Sequence, residues 1–584
     1  MLGRDWPVRI APIVSTAALA LVLSGCATRP SNSDEIVLTG AKAGQAQEQE
    51  RVEAEEGSAD IVVGGHDSAS LPAPPPPPSP VLAPRMMAES RGFKLAQRSS
   101  RAYIPSVIVP ADPGRERYDG KEVSPVHLAA SEPVSTFSVD VDTGAYANSR
   151  RFLSQGQMPP ADAVRSEELV NYFRYDYPLP ATRETPFSVT TDVATTPWNP
   201  ATRLLRIGLR GYDLPRNARP PANLVFLVDV SGSMGEADKL PLVKTALAGL
   251  ADQIGPQDKV SIVVYAGAAG LVLPATGNKR EIVAALDRLS AGGSTAGGAG
   301  LQLAYQVARD NFIRGGVNRI LLATDGDFNV GVSDSEALIA MVEKERDAGV
   351  TLTTLGFGQG NYNEAMMEQV ADHGNGNYAY IDTALEARKV LAEQMSSTLF
   401  TIAKDVKIQV EFNPAKVAQY RLLGYENRAL REEDFNNDKV DAGDIGAGHQ
   451  VTAIYEIVPT GAKGWIEPRR YGDAVPVAAG KGSELAFVKL RYKLPDGTTS
   501  KLIERAVPAS LLASASAPRG DMAFATAVAS FGQKLRGDPL LGNLTYAGIA
   551  TLADGQRNYY RQEFAKLVAI AGSLDTRGNE VASR

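Results

Sequence analysis

The sequence is poor in the residues that build disulfides and soft-metal sites. It contains one cysteine, Cys26, and four histidines among 584 residues. A single cysteine cannot form a disulfide within the chain, so stability must come from hydrophobic cores. The scarcity of thiolate and imidazole groups also argues against a zinc or copper site.

The chain also lacks a strong charge of either sign. Its formal net charge is −7, which is small beside its 127 charged residues, and we expect no nucleic-acid partner. A hydrophobic fraction of 44% and a charged fraction of 22% are typical of a soluble protein. The length exceeds what one core accommodates and suggests about two to four domains.

Long hydrophobic runs are scarce, and one short run stands near the N-terminus. Residues 10–23 (IAPIVSTAALALVL) are too few to span a bilayer comfortably and are typical of a secretory signal. The following Leu-Ser-Gly-Cys resembles the lipobox of bacterial lipoproteins. That resemblance predicts a signal peptide over 1–25 and a lipid on Cys26, unless the cysteine is incidental. Ala27 in place of aspartate implies the outer membrane of the cell envelope rather than the inner membrane.

The composition divides the remaining chain into four parts. Residues 26–130 contain an acidic stretch and a polyproline run, and they predict a disordered tether. Residues 131–218 suggest a small α+β region. Residues 219–400 alternate strands and helices, and 401–584 predict antiparallel β structure followed by two helices near 520–536 and 557–573.

The alternating part predicts the fold class. Continuous apolar strands over 223–229, 259–265, 319–324 and 351–357 are separated by amphipathic helical stretches. We therefore expect an α/β fold, with a doubly wound, mostly parallel sheet covered by helices on both faces. The flanks add an antiparallel β-rich region and terminal helices.

Polar residues in this part gather where strands end. Asp229 closes the first core strand, and Ser231 and Ser233 follow in the next loop (DVSGSM). Asp325 follows another strand, and Thr295 lies in a glycine-rich loop. Because ligands of doubly wound sheets bind beyond the carboxyl ends of the strands, we expect these five side chains to converge. Carboxylates and hydroxyls suit a hard cation such as Mg²⁺.

These residues resemble a known family. Asp-x-Ser-x-Ser, the later threonine and the Asp of "TDG" match the metal-ion-dependent adhesion site of the von Willebrand factor type A domain. The resemblance covers roughly 220–400, and the flanking segments are similar to bacterial surface lipoproteins that carry such a domain between two family-specific regions. It implies Mg²⁺ or Mn²⁺ held by the five residues, the aspartates often through water, with one open position for a carboxylate of a protein ligand.

Other interpretations remain open beside this one. A scaffold in envelope assembly could use the metal only structurally. Ser294 in "GGSTA" could be a hydrolase nucleophile with His373 as its base, although a helix rather than a strand precedes it. A metal-assisted phosphatase would need a basic residue in the site loops, and the sequence shows no convincing one. The acidic stretch 434–444 departs from a calcium loop at its sixth and twelfth positions and indicates a solvated turn.

Taken together, the sequence predicts a non-enzymatic envelope lipoprotein. The lipid at Cys26 would bind the membrane, and the A-type domain would bind a protein ligand through the divalent cation.

Overall fold

The computed structural model describes residues 116–582 except 140, 294–296, 327–334, 361 and 468–481. By internal packing the chain divides into two units, Met1–Tyr103 and Ile104–Arg584, and every described residue belongs to the second. The predicted signal peptide, Cys26, most of the tether and Thr295 lie outside the described residues. In the described part, none of the helices combines the length and apolar character needed to cross a bilayer.

Seventeen strands are described. They are β1 (His127–Leu128), β2 (Val134–Ser138), β3 (Phe187–Thr195), β4 (Arg203–Gly211), β5 (Ala222–Asp229), β6 (Lys259–Tyr265), β7 (Ala269–Thr276), β8 (Val317–Thr324), β9 (Thr351–Phe357), β10 (Tyr378–Ile381), β11 (Thr401–Phe412), β12 (Val417–Leu422), β13 (Ala429–Leu430), β14 (Ile445–Gly446), β15 (Gln450–Pro459), β16 (Glu484–Lys493) and β17 (Ser500–Pro508).

Thirteen α-helices accompany them. They are α1 (Gly144–Ser154), α2 (Ser166–Asn171), α3 (Leu240–Ala251), α4 (Lys279–Asp287), α5 (Gly297–Asp310), α6 (Ser335–Asp347), α7 (Glu364–His373), α8 (Ala384–Arg388), α9 (Met395–Leu399), α10 (Ser510–Ala513), α11 (Gly520–Leu535), α12 (Tyr546–Leu552) and α13 (Tyr559–Ala582). One π-helical turn, Lys389–Glu393, joins α8 to the residues before α9.

The central sheet has the strand order β10-β9-β8-β5-β6-β7. All its neighbours pair in parallel except β7, which returns from β6 as an antiparallel edge strand. Alternate residues of β5 enter two different cores. Leu224, Phe226 and Val228 share one core with residues of α3 and α4, whereas Val225 and Leu227 share another with residues of α5 and α6. Helices therefore cover both faces, and the predicted doubly wound fold class is confirmed.

Two antiparallel sheets complete the molecule. Their orders are β1-β12-β15-β4-β3 and β13-β2-β11-β16-β17. Rings from both sheets pack together: the ring of Phe412 of β11 stacks on that of Tyr420 of β12, with centroids 4.2 Å apart, and meets that of Tyr455 of β15 edge to face at 5.1 Å. Each sheet combines strands that precede the central domain with strands that follow it, so the two flanks of the domain form one β structure.

The helices of the chain end cover the outside of this β structure. Leu204 of β4 and Ile454 of β15 share a core with Phe524 of α11 and Phe564 of α13. The predicted helices near 520–536 and 557–573 are thus present, and their apolar residues pack on the first antiparallel sheet.

The tether boundary at residue 130 needs correction. Residues 116–130 are held against the folded part, since Glu116 pairs with Arg151 at 2.7 Å and the backbone of Arg117 bonds to Tyr362 and Glu364. These contacts are ion pairs and backbone hydrogen bonds, which a hydropathy pattern does not reveal. The sequence analysis therefore extends the tether to residue 130, although the folded part already includes residues 116–130.

Candidate metal site

Strand register brings three side chains together at the carboxyl edge of the central sheet. Asp229 is the last residue of β5 and pairs with Tyr265 of β6, while Val228 pairs with Ala323 of β8. Asp229 therefore lies beside Tyr265 and Thr324. Its Oδ2 accepts hydrogen bonds from the Tyr265 hydroxyl at 3.2 Å and the Thr324 hydroxyl at 3.1 Å. These two hydrogen bonds offset the cost of burying the Asp229 carboxylate at the end of an apolar strand.

The loop after β5 turns back on the same carboxylate. The backbone N–H of Ser231 donates to Asp229 Oδ1 at 2.9 Å, and a 3₁₀ turn, Gly232–Gly235, follows. This turn presents both predicted hydroxyls at one place, with the Oγ atoms of Ser231 and Ser233 3.0 Å apart. Ser231 is buried, and Ser233 is half-buried.

Asp325 follows β8, the strand next to β5, and only 1% of it is exposed. Burial, and to a smaller extent the nearby Asp325 carboxylate, raise the pKa of the Asp229 carboxyl to about 6, although the hydrogen bonds from Ser231 act to lower it. The two carboxylates are thus close enough to repel each other. A positive charge placed between them would relieve that repulsion.

Thr295 lies outside the described residues, but the residues just before it reach the same loop. Gly232 N–H donates to the Gly293 carbonyl at 3.0 Å, and Gly292 N–H donates to the Val230 carbonyl at 2.8 Å. The glycine-rich segment therefore begins beside Ser231 and Ser233, as expected for the third loop of the site.

The donor set fits a hard divalent cation. The described side chains around the site offer carboxylate and hydroxyl oxygens, the ligands Mg²⁺ prefers. Neighbouring ligands of an octahedral Mg²⁺, with bonds of 2.0–2.1 Å, are separated by about 3 Å. The Ser231 and Ser233 hydroxyls already have this spacing. Nowhere in the described part, this site included, do three or more His, Cys, Asp or Glu side chains form a group that could hold a metal ion, so the candidate site depends on two carboxylates together with hydroxyls.

Sequence reasoning missed one residue, Lys239. Its Nζ lies 3.1 Å from Asp325 Oδ2 and 3.9 Å from Glu236 Oε2, and 5% of the residue is exposed. The aliphatic part of the Lys239 side chain packs against Gly358. A Cβ atom added at Gly358 would lie 2.4 Å from Cγ and Cε of Lys239. A signal was available, because Lys239 occupies the N-cap of α3, where its charge opposes the helix dipole. A buried lysine at a helix N-terminus is unfavourable without an anionic partner, and Asp325 is that partner here.

The residues of the alternative interpretations lie in other environments. His373 ends α7, and its Nδ1 bonds to Glu343 at 2.8 Å; Ser294 is outside the described residues. In the acidic turn, Asp434 accepts hydrogen bonds from Arg431, and Asp438 accepts them from Arg491. Arginines, rather than a shared centre, thus satisfy these two carboxylates.

Comparisons with known proteins identify the family. Residues 112–206 match the family model described as von Willebrand factor, 223–394 match the von Willebrand factor type A domain, and 397–574 match the C-terminal region of uncharacterized protein YfbK. YfbK of Escherichia coli K12 is 47% identical over 499 residues, which cover 83% of this chain and 85% of that protein. The chain belongs to the YfbK family.

More distant relatives share part of the YfbK-like chain. Protein sll0103 of Synechocystis is 32% identical over 206 residues, which cover 34% of this chain and 48% of that protein. Among solved structures, a von Willebrand factor type A protein from Catenulispora acidiphila has a TM-score of 0.34 at 16% identity, covering 61% of this chain and 80% of that one. The match of residues 223–394 to the type A domain model confirms the predicted resemblance to an A-domain family.

Proposed function

We propose that this YfbK-family protein binds a protein ligand through Mg²⁺ or Mn²⁺ held by Asp229, Ser231, Ser233, Thr295 and Asp325. The observation that supports it best is the 3.0 Å spacing of the two serine hydroxyls next to two buried carboxylates. When bound, the ion would supply an electron-poor centre that accepts a carboxylate oxygen from the ligand.

The charges of the site favour an anionic ligand. Lys239 cancels one of the two carboxylate charges of Asp229 and Asp325, because its ammonium pairs with Asp325. A dication bound there would leave the site positive. A carboxylate from the ligand would neutralise that charge, whereas a neutral partner would not.

Metal binding is tested first with Mn²⁺ alone. Titration calorimetry with the intact chain should show one tight site, and Ser231→Ala combined with Ser233→Ala should abolish it while circular dichroism stays unchanged. Ser510→Ala with Ser514→Ala is the matched control, since both serines lie at α10 away from the site. Equal Mn²⁺ binding by the site variant and the control would reject the assignment.

The open position is tested by water relaxation. Mn²⁺ with an exchangeable water accelerates proton relaxation of the solvent, and a peptide that carries an accessible glutamate should displace that water and reduce the effect. The matching glutamine peptide should leave relaxation unchanged. If neither peptide acted although Mn²⁺ bound, the scaffold interpretation with a structural metal would replace the proposal.

We further propose that a lipid on Cys26 anchors the protein to the outer membrane and that the following acidic and proline-rich residues extend it from the surface. The support is the apolar run 10–23 ending in Leu-Ser-Gly-Cys. Cys26→Ser should move the protein from the membrane fraction to the soluble fraction of the producing cell, while Ser24→Ala should not. Retention of the Cys26 variant in membranes would refute the anchor.

A further inference from the structure

A cavity lies where three separate parts of the chain meet. Its volume is about 280 Å³. It is lined by residues 172–174 after α2, by Lys389 and Glu393 of the π-helical turn with the following Gln394, and by Asn558, Tyr560 and Arg561 at the start of α13. Lys389 opens the π turn and Glu393 closes it, so both project from the one irregular turn of this helical segment. Single π turns interrupting α-helices are frequent at binding sites.

Lys389 is the unusual residue of this cavity. It is 4% exposed, and its Nζ has no hydrogen-bond partner among the described residues. Its nearest carboxylate, Glu386 Oε1, is 3.9 Å away, and its Nζ lies 2.8 Å from the centroid of the Tyr172 ring. A buried ammonium without a hydrogen bond is costly, because it has exchanged water for an aromatic face.

Charges of both signs surround Lys389. Burial is the main cause that lowers its pKa, to about 7; Arg150 and Arg174 contribute to the decrease, while Glu386 and Glu393 oppose it. The Oε2 atom of Glu386 accepts hydrogen bonds from Arg150 and Tyr172, and its Oε1, 3.9 Å from Lys389 Nζ, is too distant to hydrogen-bond to the ammonium. An anion in the cavity would therefore stabilise the protonated form of Lys389.

Two arginines line the same cavity. Arg174 donates to the Gly448 carbonyl at 3.2 Å, and its burial lowers its pKa. Arg561 is held by Asp521 at 2.7 Å. The lining thus contains three basic side chains, those of Arg174, Lys389 and Arg561, and one carboxylate, that of Glu393. The carboxylate of Glu393 accepts a hydrogen bond from the Tyr560 hydroxyl at 3.1 Å. This excess of positive charge favours an anion.

Aromatic rings supply the remaining walls. Tyr172, Phe173 and Tyr560 all line the cavity, and Tyr172 meets both other rings edge to face, at 5.1 and 6.2 Å. A cavity of this size, with a cationic side and aromatic walls, suits a small flat molecule that carries one acidic group.

We propose that this cavity is a binding site for a small organic carboxylate, with the carboxylate at Lys389 and Arg174 and the apolar body against the rings of Phe173 and Tyr560. The site is independent of the metal site, so its tests are carried out in EDTA.

Benzoate is the probe, titrated by calorimetry into the intact chain. We expect saturable binding that Lys389→Met weakens about tenfold or more, because a charge-assisted hydrogen bond is lost. Arg174→Gln should weaken it as well, which gives a second variant should the first fold poorly. The control is Lys279→Met, which removes an exposed lysine.

Proton uptake distinguishes this site from a general attraction of anions. At pH 8 the amine of Lys389 is largely neutral, and a bound carboxylate raises its pKa. Benzoate binding should therefore take up protons, seen as a dependence of the heat on the ionisation enthalpy of the buffer, and should weaken as pH rises from 7 to 9. Lys389→Met should abolish this uptake.

Three results would overturn the proposal. Benzamide binding as tightly as benzoate would show that the charge plays no part. Inorganic phosphate binding more tightly than benzoate would assign the cavity to a different ligand class. Benzoate binding that is absent, or equal in Lys389→Met, Arg174→Gln and the Lys279→Met control, would remove the site altogether.

Discussion

The ammonium of Lys239 lies 3.1 Å from the carboxylate of Asp325, and both side chains are buried. Two loops that are far apart in the chain thus meet in an ion pair at the edge of the central sheet. The pair gives the buried Asp325 carboxylate a counter-charge within the protein. It also puts a positive charge beside the place where the proposed cation would bind.

Replacement of Lys239 by methionine should have opposite effects on two measurements. Removing the ammonium takes its lysine counter-charge from the buried Asp325, so in EDTA the chain should lose about 3 kcal/mol of stability. Mn²⁺ affinity should increase about tenfold, because the like charge is gone. Thermal unfolding measures the loss of stability, and titration calorimetry measures the Mn²⁺ affinity. Added Mn²⁺ should restore the midpoint of thermal unfolding.

Lys259→Met is the control for this variant, since Lys259 is exposed at the start of β6. Lys259→Met should change neither the stability in EDTA nor the Mn²⁺ affinity. Weaker Mn²⁺ binding by Lys239→Met would show that the ammonium positions Asp325 for the cation instead of opposing it.

The raised pKa of Asp229 predicts how stability depends on pH. The folded-state pKa is about 6, whereas an unfolded aspartate titrates near 3.9. The folded state therefore binds the proton more tightly, and this stabilisation is complete below about pH 4 and lost as pH rises through 6. Between pH 7 and pH 4 the wild type should gain about 2–3 kcal/mol relative to Asp229→Asn.

The comparison is made by thermal unfolding of both proteins in EDTA across that range, because other titrating groups contribute to both alike. A difference between the two midpoints that stayed constant with pH, or shrank on acidification, would contradict the raised pKa.

Gly326 determines the course of the chain directly after Asp325. Its φ of +90° is unfavourable for other residues, and a Cβ would lie 2.6 Å from the backbone N of Asn363 and 2.9 Å from Tyr362 Cα. Gly326→Ala should therefore cost about 1–3 kcal/mol and displace Asp325. Mn²⁺ affinity should also decrease, because Asp325 is one of the proposed ligands.

Gly249→Ala is the matched control. Gly249 lies inside α3, and a Cβ there would meet no atom within 4 Å. Alanine should leave Mn²⁺ binding unchanged and stabilise the helix by about 0.5–1 kcal/mol. Equal melting temperatures of the two variants would show that the close approach at Gly326 is not a constraint.

A buried charge cluster joins the first antiparallel sheet to the turn after α11. Arg421 of β12 bonds to Glu456 of β15 at 2.8 Å and to Asp538 at 2.6 Å, and all three side chains are fully buried. Arg421→Met would remove from two buried carboxylates the arginine that pairs with both of them. We expect a loss of about 3–5 kcal/mol, measured as a decrease in the midpoint of thermal unfolding.

Arg491→Met provides the comparison, because Arg491 pairs with a more exposed carboxylate, Asp438, at 3.0 Å. Its loss should cost at most about 1 kcal/mol. If both variants melted alike, the buried cluster would not stabilise the fold beyond an ordinary surface ion pair.

Local patterns in the sequence were sufficient for the central domain. Strand β5, predicted over 223–229, is Ala222–Asp229, and β9 spans 351–357 as predicted. Such strands are recognisable because both faces are buried and the run is continuously apolar. The placement of Asp229 and Asp325 at strand ends on one edge of the sheet followed from the same pattern, since parallel strands have their carboxyl ends at one edge. That their two strands are neighbours is seen only in the structure.

Long-range pairing was not recognisable in this way. Strand β2 pairs with β11 across more than half of the described chain, as between Phe137 and Ile408. An alternating pattern shows that a strand has one buried face but not which strand lies next to it. The sequence therefore indicated separate regions before and after the central domain, where the structure has two shared sheets.

The sequence by itself determined the order of strands and helices, the fold class of the central domain and the oxygen-bearing residues at its sheet edge, because these depend on spacing along the chain. Only the tertiary structure decided that Lys239 pairs with Asp325, that residues 116–130 pack against the fold, and that Lys389 is buried beside Tyr172. Each of these is a contact between residues far apart in sequence, and its energy comes from burial and charge that exist only once the chain has folded.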